Sequence, residues 1–408
     1  MKLHFSGFKP EEGSPLNEGI AALRYAASLG GPEPILFGYT PVARMNPYQG
    51  LLYTSFWEEG FAPSPITRTL DFDKLIALKD SAAAVAVHLH WHSTVLAGAA
   101  DKREARTRLA GFKEQLGTFK DNGGKLVWTV HNVLPHDALF IDEEIELQNA
   151  IAESSDVIHT MSHRTIEAVS SVVALDPGRV LVAPHPSYLG AYEDYIGRHE
   201  ARTTLGLHSD DVVYVTLGAL KPYKGLREFL AGFNEFIADA GPRHKLIIAG
   251  EPDGSAYVAE LVDDCRRHPQ VLLDDRKIPP GLVQYYMRAA DFAVVPYLRS
   301  LNSGAALLGT TFGLPVISSR QGSLPEVLDP SFAEFLPGES PGEIAGSLAL
   351  AQRLLTPAAS AAARGFAEGL APASVSTAFA RSLRERLLEP PSPPTGTSSE
   401  HESAGLSS

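Results

Sequence analysis

Short, continuously apolar runs alternate with helical patterns along most of the chain, and this alternation restricts the fold more than any other feature. Candidate strands fall at 3–6, 35–37, 84–88, 126–130, 157–160 and 180–183, and again at 212–217, 246–249, 271–273, 292–295 and 316–318. They lack strict polar–apolar alternation, as strands covered on both faces do. Between them lie stretches such as Leu226, Phe229, Leu230, Phe233, Phe236 and Ile237, which share one stripe of a helix. Strand–helix alternation implies parallel sheets joined by right-handed crossovers. So many strands overfill one doubly wound sheet. The expected class is therefore α/β, with two parallel-sheet domains and a break in the polar stretch 192–200. That places one domain at 1–195 and a second at 196–371. Residues 389–408 are rich in Pro, Ser, Gly and Glu, too poor in apolar surface to order themselves, and are expected to form a disordered tail.

A length of 408 residues agrees with two or three domains at roughly 150 residues each. The formal net charge of -13 opposes nucleic acid as a partner, because phosphate binding needs a basic field. Cys265 is the single cysteine, so neither an internal disulfide nor a cysteine-based metal site is available; a structural thiol is expected. The first residues lack the pattern of a secretory signal. No run of ~18 apolar residues occurs. A cytoplasmic protein is expected.

Ligands of open parallel sheets bind beyond the carboxyl ends of the strands. After 212–217 comes Gly218-Ala219-Leu220-Lys221-Pro222-Tyr223-Lys224-Gly225. Its glycines permit close backbone approach, and Lys221 and Lys224 can hold phosphate as point charges. After 292–295, Ser303 or Asn302 caps an apolar helix whose N–H groups at Gly304, Ala305 and Ala306 can meet an anion. After 126–130 come His131, Asn132, Pro135, His136 and Asp137, residue types suited to sugar binding or proton transfer. His88, His90 and His92 alternate as on one strand face; packing is favoured over a metal site there. Asp71-Phe72-Asp73 matches a metal-holding triplet but does not follow a strand, and no metal site is expected from it.

Several segments in order resemble the carboxyl-terminal half of GT-B glycosyltransferases. They are Gly218 to Leu226, Ile247-Ile248-Ala249-Gly250-Glu251-Pro252, Ala289 to Tyr297, Asn302-Ser303-Gly304 through Phe312-Gly313-Leu314-Pro315, and Leu324-Pro325-Glu326-Val327. Upstream, Asn46-Pro47-Tyr48, His88-Leu89-His90-Trp91 and Thr129-Val130-His131-Asn132 are similar to a family-4-related subgroup that includes bacterial exopolysaccharide mannosyl- and glucuronosyltransferases. The resemblance implies two Rossmann-like domains with a nucleotide-sugar in the cleft, no cofactor and no required metal. It implies phosphate contacts from Lys221 and Lys224, and His131 facing the donor sugar. Lys277 and Ile278 would approach the nucleobase, His185 would lie near the hinge, and a helix near 372–388 would return to the first domain. Many relatives carry two glutamates where this chain has Ser300 and Leu308, so ribose recognition is expected from Glu326. Their arginine in the Gly-Arg-Leu turn is Ala219 here, which leaves that charge to Lys221.

The expected activity is hexosyl transfer from a nucleotide-diphosphate sugar to a hydroxyl acceptor. Lys221, Lys224 and the helix start would stabilise the leaving diphosphate. An inverting reaction would need a base, for which Asp137 is the choice and His131 or His136 the rivals; a retaining one would not. Residues 102–125 form a basic amphipathic pattern that fits either a sheet-covering helix or peripheral contact with an anionic membrane carrying a lipid-linked acceptor. A nucleotide-sugar epimerase and a non-catalytic nucleotide-sugar-binding protein are the alternatives.

Overall fold

The structure, a computed structural model, describes residues 14–44, 46–135 and 138–389. Six parallel strands form the first sheet: β1 (Ile35–Thr40), β2 (Phe61–Pro65), β3 (Ala84–Leu89), β4 (Lys125–Thr129), β5 (Val157–Thr160) and β6 (Val180–Val182), in the order β2-β1-β3-β4-β5-β6. Six more form the second: β7 (Val212–Leu217), β8 (His244–Ala249), β9 (Val271–Asp274), β10 (Phe292–Val295), β11 (Val316–Ser318) and β12 (Ala333–Phe335), in the order β12-β11-β10-β7-β8-β9. Helices cover both sheets, and the arrangement is the GT-B fold. The expected strand at 3–6 and the tail from 390 lie outside the described residues.

Two strands escape the apolar-run criterion, β2 and β12, and both are sheet edges. Pro63 and Pro65 remove two N–H groups from β2, which an edge strand tolerates and a central one does not. In β12 the charged Glu334 between Ala333 and Phe335 breaks the apolar run.

The order of the second sheet reverses between β7 and β10. From β7 the chain steps toward β8 and β9; from β10 it steps the other way, toward β11 and β12. A crevice opens at such a reversal, beyond the carboxyl ends of the two strands. The lysine loop follows one strand of this pair, and the capped apolar helix follows the other. Topology alone brings the two candidate phosphate segments together.

The helix Leu226–Ala240 buries Leu226, Phe229, Leu230, Phe233 and Phe236, the expected stripe, against the helix Pro341–Ala351 and the second sheet. The last described helix, Pro372–Leu388, packs on the first sheet instead. Phe379, Leu383 and Leu387 join a core with Phe37, Phe56 and Phe61. Burying each such side chain contributes about 1.5–3 kcal/mol, so the end of the chain ties firmly to its beginning. Ser376 accepts the Ser55 N–H at 2.9 Å, and Arg384 donates to the Gly60 carbonyl at 2.6 Å.

Candidate functional site

The two loops at the β7/β10 crevice touch through their backbones. Leu298 N–H donates to the Tyr223 carbonyl at 2.8 Å. Gly225 has φ of 64°, and a Cβ there would stand 2.3 Å from the Pro296 carbonyl oxygen. Only glycine permits both the conformation and the approach.

Lys224 lies inside this junction, 6% exposed. Its Nζ is 5.9 Å from the Tyr297 ring centroid. Gly218 has φ of 113°, a conformation that favours glycine, and a Cβ there would stand 3.2 Å from that Nζ. Among the described residues neither Lys221 nor Lys224 is paired with a carboxylate. Burial, with the charge of Lys221 added, pushes the Lys224 ammonium down to about 8. A buried cation without a counter-ion is costly to the fold and is an invitation to an anion.

Tyr297 also packs into one core with Ala306, Leu307 and Leu308 of the helix Gly304–Thr311. Ser303 Oγ accepts the Ala306 N–H at 3.2 Å as the helix cap. The expectation of three open amides is therefore corrected: Ala306 is occupied by the protein. The N–H groups of Gly304 and Ala305 have no acceptor among the described residues, and both residues are part-exposed. A Cβ at Gly304 would meet the Tyr188 hydroxyl at 2.4 Å, so this glycine also makes room for a tyrosine.

Tyr188 begins an aromatic bridge across the cleft. Its backbone N–H donates to Thr311 Oγ1, and its ring lies 5.5 Å from His185. His185 packs at 4.7 Å on Tyr48, which in turn lies 5.3 Å from His131. His185 Nδ1 bonds the Pro186 carbonyl, and burial pushes its imidazole down to about 4. His131 is part-exposed, and Trp91 stacks on it at 4.4 Å with an 18° tilt. Thus His131, His185, Ser303 and Gly304 are linked across the cleft through Tyr48, Tyr188 and a shared cavity, and Lys224 lies on the neighbouring loop after β7. His136 and Asp137 lie outside the described residues. Lys277 and Ile278 sit on the loop after β9; Lys277 is exposed, and Ile278 packs half-buried on the second core.

Glu326, expected at the ribose, is engaged across the cleft. Its carboxylate accepts the Ser162 hydroxyl at 2.5 Å and the N–H groups of His163 at 3.2 Å and Arg164 at 3.1 Å. It caps the start of the first-sheet helix Arg164–Val169 across the cleft. Burial pushes this carboxyl up, but the three hydrogen bonds outweigh it and hold the group below the usual carboxylate range. Beside it lies a cavity of about 280 Å³ lined from both sides, by Ser162 and His185 and by Asn302, Ser303 and Glu326.

The other candidates are structural. Asp71 pairs with Arg68 at 2.7 Å and Lys74 at 2.8 Å, and Phe72 joins the core. β3 ends at Leu89, so His92 leaves the face of His88 and packs on Trp128 at 5.9 Å. No group of His, Cys, Asp and Glu among the described residues has the geometry to hold a metal. Cys265 is buried in the second core, and burial pushes its thiol up to about 12. On the helix Lys102–Asp121, Lys102 pairs with Asp142 at 2.7 Å, Arg106 with Glu143 at 3.0 Å and Lys113 with Glu146 at 3.0 Å. Much of its basic charge is answered by the neighbouring helix Ile141–Ser154. No described helix is long and apolar enough to cross a membrane.

Tyr48, Tyr188 and Tyr297, which assemble the site, carry no periodic signal. Only the close spacing of Tyr188 and Tyr192, and of Tyr297 and Ser303, at strand ends offers a hint.

Part of the chain matches a known family. Residues 211–351 match the family described as Glycosyl transferases group 1. A D-inositol 3-phosphate glycosyltransferase of Actinosynnema mirum is 31% identical over 189 residues, 44% of this chain and 44% of that protein. A GDP-mannose:glycolipid 4-beta-D-mannosyltransferase of Xanthomonas campestris pv. campestris is 25% identical over 264 residues, covering 62% and 67%. The chain thus spans less than half the length of the first of these relatives and about two thirds of the second. Among solved structures, a sucrose-phosphate synthase from Thermosynechococcus elongatus superposes with a TM-score of 0.66 at 15% identity, covering 86% of this chain and 98% of that one. Anabaena HepE, in complex with UDP and glucose, superposes with a TM-score of 0.60 at 13% identity, covering 86% and 100%. These likenesses establish the fold.

Proposed function

We propose that this chain, which carries a group 1 glycosyl transferase domain on a GT-B fold, moves a hexosyl unit from a nucleotide-diphosphate sugar to a hydroxyl acceptor. The observation that carries the reading is the uncompensated, buried ammonium of Lys224 after β7, with the open amides of Gly304 and Ala305 after the paired strand β10. A diphosphate supplies the missing charge and takes both kinds of donor at once. As the glycosidic bond breaks, negative charge grows on the leaving diphosphate. Lys221, Lys224 and the helix start stabilise that charge without reorganising. In this reading no metal is required. Ribose recognition falls to groups other than Glu326 while that carboxylate caps the facing helix.

On the opposite wall, His131 lies against the donor sugar; Asp137, outside the described residues, is the base that removes the acceptor proton if configuration inverts. If configuration is retained, the leaving diphosphate takes that proton. A sugar acceptor attached to a lipid fits the glycolipid substrate named for the Xanthomonas relative. Peripheral contact with a membrane follows from that acceptor rather than from the helix Lys102–Asp121, whose charges are largely paired. The relatives named above are transferases, which favours transfer over epimerisation.

Incubating the protein with UDP- and GDP-sugars, with and without glycolipid and sugar acceptors, tests the reading. Nucleoside diphosphate should be released together with a glycosylated acceptor, and a chelator should leave the rate unchanged. Conversion of the donor sugar without acceptor would instead identify an epimerase. Binding without turnover across the panel would identify a non-catalytic protein.

A further inference from the structure

One end of a hydrogen-bond chain inside the first sheet can only accept, and that end fixes the direction of every bond along it. The Ala183 carbonyl lies 3.0 Å from His159 Nε2, so this nitrogen carries the proton. Burial, the largest effect, pushes His159 down to about 4, so the ring is neutral and its Nδ1 is a bare acceptor. Thr129 must then donate its hydroxyl proton to that Nδ1, at 2.9 Å. With its proton committed, Thr129 Oγ1 accepts from His88 Nε2 at 2.6 Å. His88 Nδ1 accepts the Tyr53 hydroxyl at 2.8 Å, and the Tyr53 oxygen accepts from His90 Nε2 at 2.5 Å. His90 Nδ1 finally accepts from His131 Nε2 at 3.1 Å. Burial lowers His88, His90 and His131 well below the usual imidazole range, in keeping with one proton per ring. The reverse direction would press a lone pair of His159 against the carbonyl oxygen.

We infer that this chain sets the tautomer of His131, so that its Nδ1 faces the cleft as a lone pair able to accept from a sugar hydroxyl and unable to donate. His131 Nδ1 has no partner among the described residues, and the ring is held in plane by Trp91. Because the far end is an amide carbonyl, the chain has nowhere to send a proton. It is a positioning device, and Tyr53 is its central positioning residue. The chemical use of Nδ1 rests on the transferase reading; the tautomer does not.

The test is a long-range 1H–15N spectrum of the full-length protein labelled at histidine, recorded near neutral pH without substrate, with rings assigned by single His→Asn variants. His88, His90, His131 and His159 should each show a protonated Nε2 and an unprotonated Nδ1. In Tyr53→Phe the anchored part, His159 and His88, should keep this tautomer. The detached pair His90–His131 should become a mixture of both directions, and the donor KM should rise about twofold with kcat unchanged, as the competent population halves. Thr129→Val cuts the chain nearer its anchor and should release His88 as well; it serves if Tyr53→Phe does not fold. A wild-type His131 protonated at Nδ1, or a His131 spectrum unmoved by either variant, would overturn the inference. Absence of any transfer activity would defeat the transferase reading and leave the tautomer result standing.

Discussion

Replacing Lys224 with methionine is expected to lower transfer at least ~10²-fold while raising the thermal midpoint of the free protein by a few degrees. Both effects come from one buried charge. In the folded protein the ammonium titrates at about 8, below the ordinary 10.5, because burial disfavours its charged form. The unfolded chain therefore binds this proton more tightly. Below pH 8 the charged lysine opposes folding by about 3 kcal/mol, and the opposition fades as pH rises toward 10.5. Methionine keeps the packing of the stem and removes the charge. Turnover and melting curves measured on the same preparation check both halves. A variant that is slower but no more stable at pH 7 would mean that the ammonium is compensated in the free protein.

Acidification is expected to destabilise the protein well before its carboxylates titrate. His92, His159 and His185 are each held down to about 4 by burial, and His88, His90 and His131 lie well below the usual 6.5. Between pH 6.5 and 4 the unfolded chain takes up protons that the folded network refuses, so stability must fall as pH falls through this window. Each such histidine is worth at most about 2 kcal/mol between pH 7 and pH 5. Acting together they should lower the melting midpoint on the order of 10 °C over those two units. Protonation would also break the hydrogen-bond chain, since an imidazolium has no lone pair to receive the Thr129 or Tyr53 proton. Melting curves at half-unit steps of pH measure this, and a flat response down to pH 5 would contradict it.

Much of the fold could be read directly because central parallel strands are buried on both faces. Runs such as 212–217 and 292–295 are apolar throughout and have no other fate in a globular chain. The edge strands β2 and β12 escaped because an edge admits proline, as at Pro63 and Pro65, and a charge, as at Glu334. The placement of the lysine loop and of the helix cap was legible for a similar reason: a glycine, a lysine or a helix cap directly after a strand has its position dictated by the sheet. The rest was not. Glu326 sits in the expected turn, but whether its carboxylate meets a ribose or the helix at Arg164 depends on a contact across the cleft. The histidine chain draws on β3, β4, β5 and the segment after β1, and no periodicity marks residues that meet only when four elements align. The paired histidines 88 and 90 were its one visible trace.

Whether a pyrophosphate completes the charge at Lys224 can be measured by calorimetry. Titrating UDP, and separately GDP, into the protein at pH 8 in buffers of unlike ionisation enthalpy reports the protons taken up on binding. Since Lys224 titrates at about 8 when its neighbour is only Lys221, an arriving diphosphate polyanion should draw in about half a proton. The Lys224→Met variant should lose both the uptake and the tight binding. Binding that ignores the buffer and is equally strong in that variant, or no binding of either nucleotide, would contradict it.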